Sequence, residues 1–203
     1  PRGIRRVDDW LMAHAMYPDY IKAVFRYQTD VMLKNLEIYK QAVGERIQVV
    51  WISGTDFGNQ RGPMISLSTF RVLYKPFYKE ICDWVHQNTG WKTFFHTCGA
   101  IYDFLDDFAE MGLDCLNPLQ LSANGMDPVK IKENYGDKFT FWGGGVDTQH
   151  VLPFGTPDEV RAQVRERIDI LGKGGGYVFN TIHNIVAGVP AENLMAMYDE
   201  AKK

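Results

Sequence analysis

Five short apolar segments, each followed by a helical pattern, limit what this chain can fold into more than any other feature. They are RIQVVWIS (Arg46–Ser53), KTFFHTC (Lys92–Cys98), LDCLNPL (Leu113–Leu119), KFTFWGG (Lys138–Gly144) and GYVFNTI (Gly176–Ile182). Near-continuous apolar content, rich in β-branched and aromatic residues, suits strands covered on both faces, as in parallel sheets. Between them the pattern predicts helices. Pro18–Val43 reads as a long amphipathic helix with no strand before it. Ser68–Asn88 has apolar residues at three- and four-residue spacing, and Pro76 should kink it. Ile101–Met111 should end at Gly112. Asp127 before Pro128 is a cap followed by a first-turn proline. Thr156, Pro157 and Glu159 open a helix with a capping box that Gly172 ends, and VPAENLMAMYDEAKK closes the chain as a last helix.

Strand–helix alternation of this kind implies a parallel α/β architecture. No Gly- or Ser-rich linker or low-complexity tract interrupts the 203 residues, so one domain over 1–203 is expected. Two architectures compete: a doubly wound sheet and a (β/α)₈ TIM barrel. No glycine-rich phosphate loop follows the first strand; GTDFGNQRGP is not GxGxxG, and GKGGGY precedes a strand instead. That weighs against a nucleotide-binding fold. A barrel needs eight strands in about 250 residues. Five are visible, so the barrel reading expects the N-terminal strands to precede Pro1, which is itself not a methionine.

Bulk properties exclude several classes. With 45% hydrophobic and 23% charged residues the chain is neither disordered nor fibrous. A net charge of −3, with Lys and Arg scattered, gives no nucleic-acid or membrane-surface footprint. No apolar run is long enough to span a bilayer. The three cysteines, Cys82, Cys98 and Cys115, do not form a disulfide framework, so a reducing, cytoplasmic setting is expected.

In either architecture, function belongs at the C-terminal ends of the strands. Asp56, Asn59, Gln60 and Arg61 follow the first segment. His96 and Cys98 end the second, and Asn117 and Gln120 the third. Asp147, Gln149 and His150 follow the fourth, and Asn180, Thr181, His183 and Asn184 the fifth. Several have plain structural readings. Asp56 can cap its own turn, Asn117 precedes Pro118, and His150 sits beside an apolar stretch. Cys82 and Cys115 read as core, and His14 and His86 as exposed helix residues. His96 and Cys98 stand apart. Alternation along a strand sends i and i+2 to one face, so Phe94, His96 and Cys98 should share the inner face. An imidazole and a thiolate side by side make half of a catalytic zinc site, and His183 could supply a third ligand.

The segments GTDFGNQRGPMIS, FFHTCGAI, GLDCLNPLQ, FWGGGVDTQHVLPFGTPDEV and GGGYVFNTIHNIVAGVPAEN resemble, in order, the uroporphyrinogen decarboxylase superfamily from about Val49 onwards. The resemblance implies the (β/α)₈ barrel, with about five C-terminal βα units in this chain. It also implies one of two chemistries. Decarboxylases act without metal or cofactor. Their aspartate and paired arginines lie in an N-terminal region this chain lacks, while their histidine near the last strand falls on His183. Methyltransferases working with corrinoid proteins use zinc, and their HxC motif corresponds to His96–Thr97–Cys98. They usually complete the site with a late cysteine; here no cysteine follows Cys115, so His183 or another group must serve.

The leading expectation is zinc-dependent methyl transfer between a small methylated donor, a corrinoid protein and a thiol or similar acceptor. Zinc is held by His96, Cys98 and His183; His183 and Asp56 are catalytic; Gln60, Arg61, Asn117, Asp147 and Asn180 bind substrate. Decarboxylation of a uroporphyrinogen-type tetrapyrrole is the alternative, and a non-catalytic binding module the third reading.

Overall fold

A computed structural model describes residues 6–203 of the chain. Its sheet has five strands in the order β1-β2-β3-β4-β5. They are β1 (Val49–Gly54), β2 (Lys92–His96), β3 (Cys115–Asn117), β4 (Thr140–Trp142) and β5 (Tyr177–Val178). From β2 to β5 every neighbouring pair is parallel. Spatial order follows chain order with no reversal. A doubly wound sheet reverses at its switch point, whereas a barrel does not, so this is the α/β progression of a TIM barrel.

Every strand lies inside its expected segment, apart from one added residue at the end of β1, and every one is shorter. The reason shows at their ends, where turns and side chains take over the backbone. After β4, Gly143 and Gly144 adopt φ of 98° and 84°, which an extended strand does not allow. After β2, the N–H groups of Cys98 and Gly99 donate to the side chains of Asp56 and Gln120 rather than to a neighbouring strand.

Nine helices connect the described strands and flank them. They are α1 (Val7–Met16), α2 (Pro18–Val43), α3 (Leu67–Leu73), α4 (Lys75–Asn88), α5 (Leu105–Glu110), α6 (Pro128–Tyr135), α7 (Val151–Phe154), α8 (Pro157–Leu171) and α9 (Ala191–Ala201). The expected bounds of α2 hold at both ends. The helix expected over Ser68–Asn88 is two helices rather than one kinked helix. Pro76 has no N–H to give to the preceding turn, so the chain breaks at Tyr74 and the proline enters the first turn of α4. Asp127 caps α6 by accepting from Val129 and Lys130, and Thr156 and Glu159 form the capping box of α8. The helix α7 has no counterpart in the sequence pattern, and α1 is anticipated only in that His14 is read as a helix residue.

The described residues form two compact units. One gathers the chain up to Ile52, Ile65–Thr93 and Asp106–Leu113; the other gathers Ser53–Met64, Phe94–Leu105 and Asp114–Lys203. The second contains every candidate site residue. Its core is built on Phe95, Leu116 and Phe141 in the strands, with Val146, Leu152, Val160, Val164, Ala196 and Met197 clustered among α7, α8 and α9. No helix among the described residues is long and apolar enough to cross a membrane. The three cysteines are free thiols.

In the first unit His14 departs from expectation. It is buried, not exposed: Nδ1 lies 2.8 Å from the Trp10 carbonyl, and Nε2 meets the Tyr74 hydroxyl. The carbonyl can only accept, so Nδ1 carries the proton and Nε2 accepts from Tyr74. The sequence pattern places His14 on a helix, but its burial depends on Tyr74, sixty residues away. Burial holds the His14 pKa below the ordinary 6.5, outweighing the bond to Trp10. The unfolded chain therefore takes up a proton that the folded chain refuses. This part of the stability is complete above about pH 6.5 and is lost as pH falls below it. Thermal unfolding followed from pH 7.5 to 5 is expected to show a steeper fall in Tm for the wild type than for His14→Gln. Equal slopes would show that His14 does not titrate on unfolding.

Candidate metal centre

Parallel register sets His96 of β2 beside Asn117 of β3. Partners in register point to the same face, one strand spacing apart. The His96 ring reaches across, with Nδ1 2.7 Å from Asn117 Oδ1. On its other side, Asn117 Nδ2 donates to the Trp142 carbonyl at 2.7 Å. That carbonyl accepts only, which fixes the amide: Oδ1 faces the histidine, so Nδ1 is the protonated nitrogen. Nε2 therefore carries the lone pair. It lies 3.4 Å from Cys98 Sγ.

Alternation alone does not bring Cys98 there, because β2 ends at His96. Two side chains hold the segment beyond it. Asp56 Oδ1 accepts from the Cys98 N–H at 3.0 Å, and Gln120 Oε1 accepts from the Gly99 N–H at 2.8 Å. Gly99 takes φ +89° and lies against Gly58. Thr97, fully buried, binds inward: its N–H reaches the Asn117 carbonyl and its hydroxyl accepts from the Phe57 N–H. Burial, reinforced by the Asp56 carboxylate, pushes the Cys98 thiol up to about 11. At neutral pH it is a thiol, suited to donating toward His96 Nε2.

His183, exposed on the loop after β5, completes the group. Its ring lies edge-on to His96, with centroids 5.6 Å apart, and ligand atoms of His96, Cys98 and His183 all fall within 4.8 Å of one another. With Zn–N near 2.0 Å and Zn–S near 2.3 Å, tetrahedral ligand atoms sit roughly 3.3–3.6 Å apart. The 3.4 Å between His96 and Cys98 matches, while His183 is held only to within 4.8 Å of the other two. Two imidazoles and one thiol that loses its proton on coordinating a metal, with a side open to a cavity, suit a zinc ion with a free coordination position.

The remaining candidates divide. Asn117 touches His96, and Asp56 accepts from the Cys98 backbone N–H. Gln60 accepts from Gln120 Nε2 at 2.8 Å and donates to the Ser122 carbonyl, stitching the rim. Asp147 caps the turn into α7: Oδ1 accepts from the N–H of Gln149 and His150, and Oδ2 lies 3.0 Å from His150 Nδ1. Asn180 accepts from the neighbouring Thr181 N–H, and the Arg61 backbone lies in the Asn59 turn. None of Asp147, Asn180 and Arg61 lines the cavity of about 260 Å³ beside Cys98 and His183. Its wall includes Leu152, Ile182, Ile185, Val186 and Val189. Polar groups at strand ends do not reveal this wall; the apolar residues Ile185, Val186 and Val189 in the loop after His183 are its signal in the sequence.

A removable second contact gives a direct test of the His96 arrangement. Asn117→Leu keeps approximate size but removes the acceptor for Nδ1–H. With His96 as a zinc ligand, zinc affinity would fall by about 10- to 100-fold, the usual cost of losing a partner behind a ligand. Competition with a chromophoric chelator measures it; an unchanged affinity would remove Asn117 from the site.

A parallel sheet in barrel progression, with its polar groups gathered where the strands end, defines a TIM-barrel-type α/β protein. A family model for uroporphyrinogen decarboxylase (URO-D) matches residues 2–203. The chain belongs to that family. It is 25% identical over 191 residues to a uroporphyrinogen decarboxylase from Prochlorococcus marinus (strain MIT 9515), covering 90% of this chain and 51% of that protein. Its fold is similar to that of a methyltransferase from Methanosarcina mazei, with TM-score 0.72 and 20% identity, over 97% of this chain and 53% of that one. The chain thus spans about half the length of these relatives.

Proposed function

We propose that this chain carries the metal centre of a URO-D-family methyltransferase, which moves a methyl group between a small donor, a corrinoid protein and a thiol or similar acceptor. One observation carries the reading: a histidine, a cysteine and a second histidine whose ligand atoms lie within 4.8 Å of one another, beside a cavity. His96, Cys98 and His183 would hold zinc, which when bound supplies a Lewis acid able to lower the pKa of a thiol or polarise a leaving atom. The chain's own groups prepare that position. Asn117 keeps the His96 proton on Nδ1 and its lone pair turned inward. Asp56 and Gln120 anchor the backbone on either side of the Cys98 side chain. The free thiols suit a reducing, cytoplasmic compartment.

The name of the Prochlorococcus relative favours a second reading, decarboxylation of a tetrapyrrole, with His183 meeting substrate carboxylates. Against it, no Lys or Arg is among the described residues lining the cavity. Elemental analysis after equilibrium dialysis decides between them. About one zinc per chain supports the methyltransferase reading. No zinc, together with release of CO₂ from uroporphyrinogen, overturns it.

A further inference from the structure

The cavity beside the three-ligand group has a composition that neither chemistry explains. Leu152 and Ile182 are buried at its base, while Ile185 and Val186 stand 38% and 64% exposed at its rim. Aliphatic side chains left in water at the lip of a pocket gain most when an apolar ligand covers them. The opposite side is polar but uncharged. Gln120 is committed to Gly99 and Gln60. Ser122 donates to Gln149 Oε1 at 2.8 Å, leaving the Gln149 Nε2–H donors for a ligand. No Lys, Arg, Asp or Glu is among the described lining residues, and the nearby Asp147 carboxylate is occupied by Gln149, His150 and the turn into α7. At about 260 Å³ the space lies below the usual drug-sized range of roughly 300–1,000 Å³.

We propose that this cavity takes a small, uncharged, amphipathic molecule. Its branched or flat apolar end lies against Leu152, Ile182, Ile185 and Val186, and a hydrogen-bond acceptor faces Gln149. In the metal-free chain a carboxylate or ammonium group would lose its water there with no Lys, Arg, Asp or Glu among the described lining residues to replace it, which is costly. Calling the ligand a substrate rests on His96, Cys98 and His183 being the reacting centre; the selectivity for uncharged molecules does not.

Three probes with nearly the same alkyl group and different head groups test it: isovaleramide, isovalerate and isoamylamine. Binding is read from Ile and Val methyl NMR shifts in the EDTA-treated chain, so that the result is independent of zinc. The amide is expected to bind at least about tenfold tighter than either ion. Val186→Arg, at an exposed loop position that leaves the core untouched, should reverse the preference toward isovalerate through a bidentate pair. The proposal is overturned if isovalerate binds the wild type as tightly as the amide, or if no probe shifts the Ile185 and Val186 methyls. Failure to take up zinc in the dialysis experiment would sink the methyltransferase reading and leave these outcomes unchanged.

Discussion

Cys98→Ser is expected to lower zinc affinity by two orders of magnitude or more, with little change in the fold. Serine keeps size and hydrogen bonding but replaces a soft thiolate with a hydroxyl that stays protonated and coordinates zinc poorly. The backbone at position 98 should not move, since Asp56 holds its N–H and Gln120 the next one. His96→Ala is expected to lose about as much. His183→Ala should lose less, because His183 is the exposed member of the three. Cys115→Ser supplies the control. Cys115 is buried in β3, so its replacement should cost stability and leave zinc affinity alone. Chelator competition on the four variants reads the pattern directly. Equal affinity in wild type and Cys98→Ser would falsify the metal centre.

Gly99→Ala is expected to be the most damaging single methyl group in the site. A Cβ there would lie 2.3 Å from the carbonyl carbon and 2.5 Å from the oxygen of Gly58 and 2.6 Å from the Asn59 nitrogen, at a φ that L residues avoid. The approach is mutual, since a Cβ on Gly58 would come within 2.7 Å of the Ala100 nitrogen. Backbone is the obstacle on both sides, so no side-chain rotation relieves it. Left-handed geometry costs about 1–2 kcal/mol and overpacking about 1–3 kcal/mol more. Urea unfolding should show a loss near their sum, together with weaker zinc binding as Cys98 shifts. A change in stability under about 1 kcal/mol would mean the two segments do not pack in solution as they do here.

The strands were legible because buried parallel strands are apolar throughout, and the caps because Asp127, Thr156 and Glu159 act within three residues of themselves. Strand ends were not, since they depend on partners distant in sequence. Asp56 reaches Cys98, and Gln120 reaches Gly99, across loops that no local pattern records. The same limit governed the site. The pairing of His96 with Cys98 was visible two residues apart, whereas Asn117 showed only a turn before proline, and its bond to His96 follows from register across the sheet. Asp147 and Asn180 stand at strand ends, where function is expected, and the bonds of their Oδ atoms to the turns that follow were not legible in the sequence. His14 was misjudged because its partner Tyr74 lies sixty residues away.

The rim of the cavity is stitched by Gln60, Gln120, Ser122 and Gln149, all neutral groups. Dissolved ions screen charges with a Debye length near 8 Å at physiological ionic strength, but they scarcely weaken bonds between amides and hydroxyls. The shape of this mouth is therefore decoupled from the salt of its surroundings. A change in ionic strength should leave the bonds of Gln120 to Gln60 and Ser122 to Gln149 in place, whereas the Cys98 N–H is held by a carboxylate, Asp56.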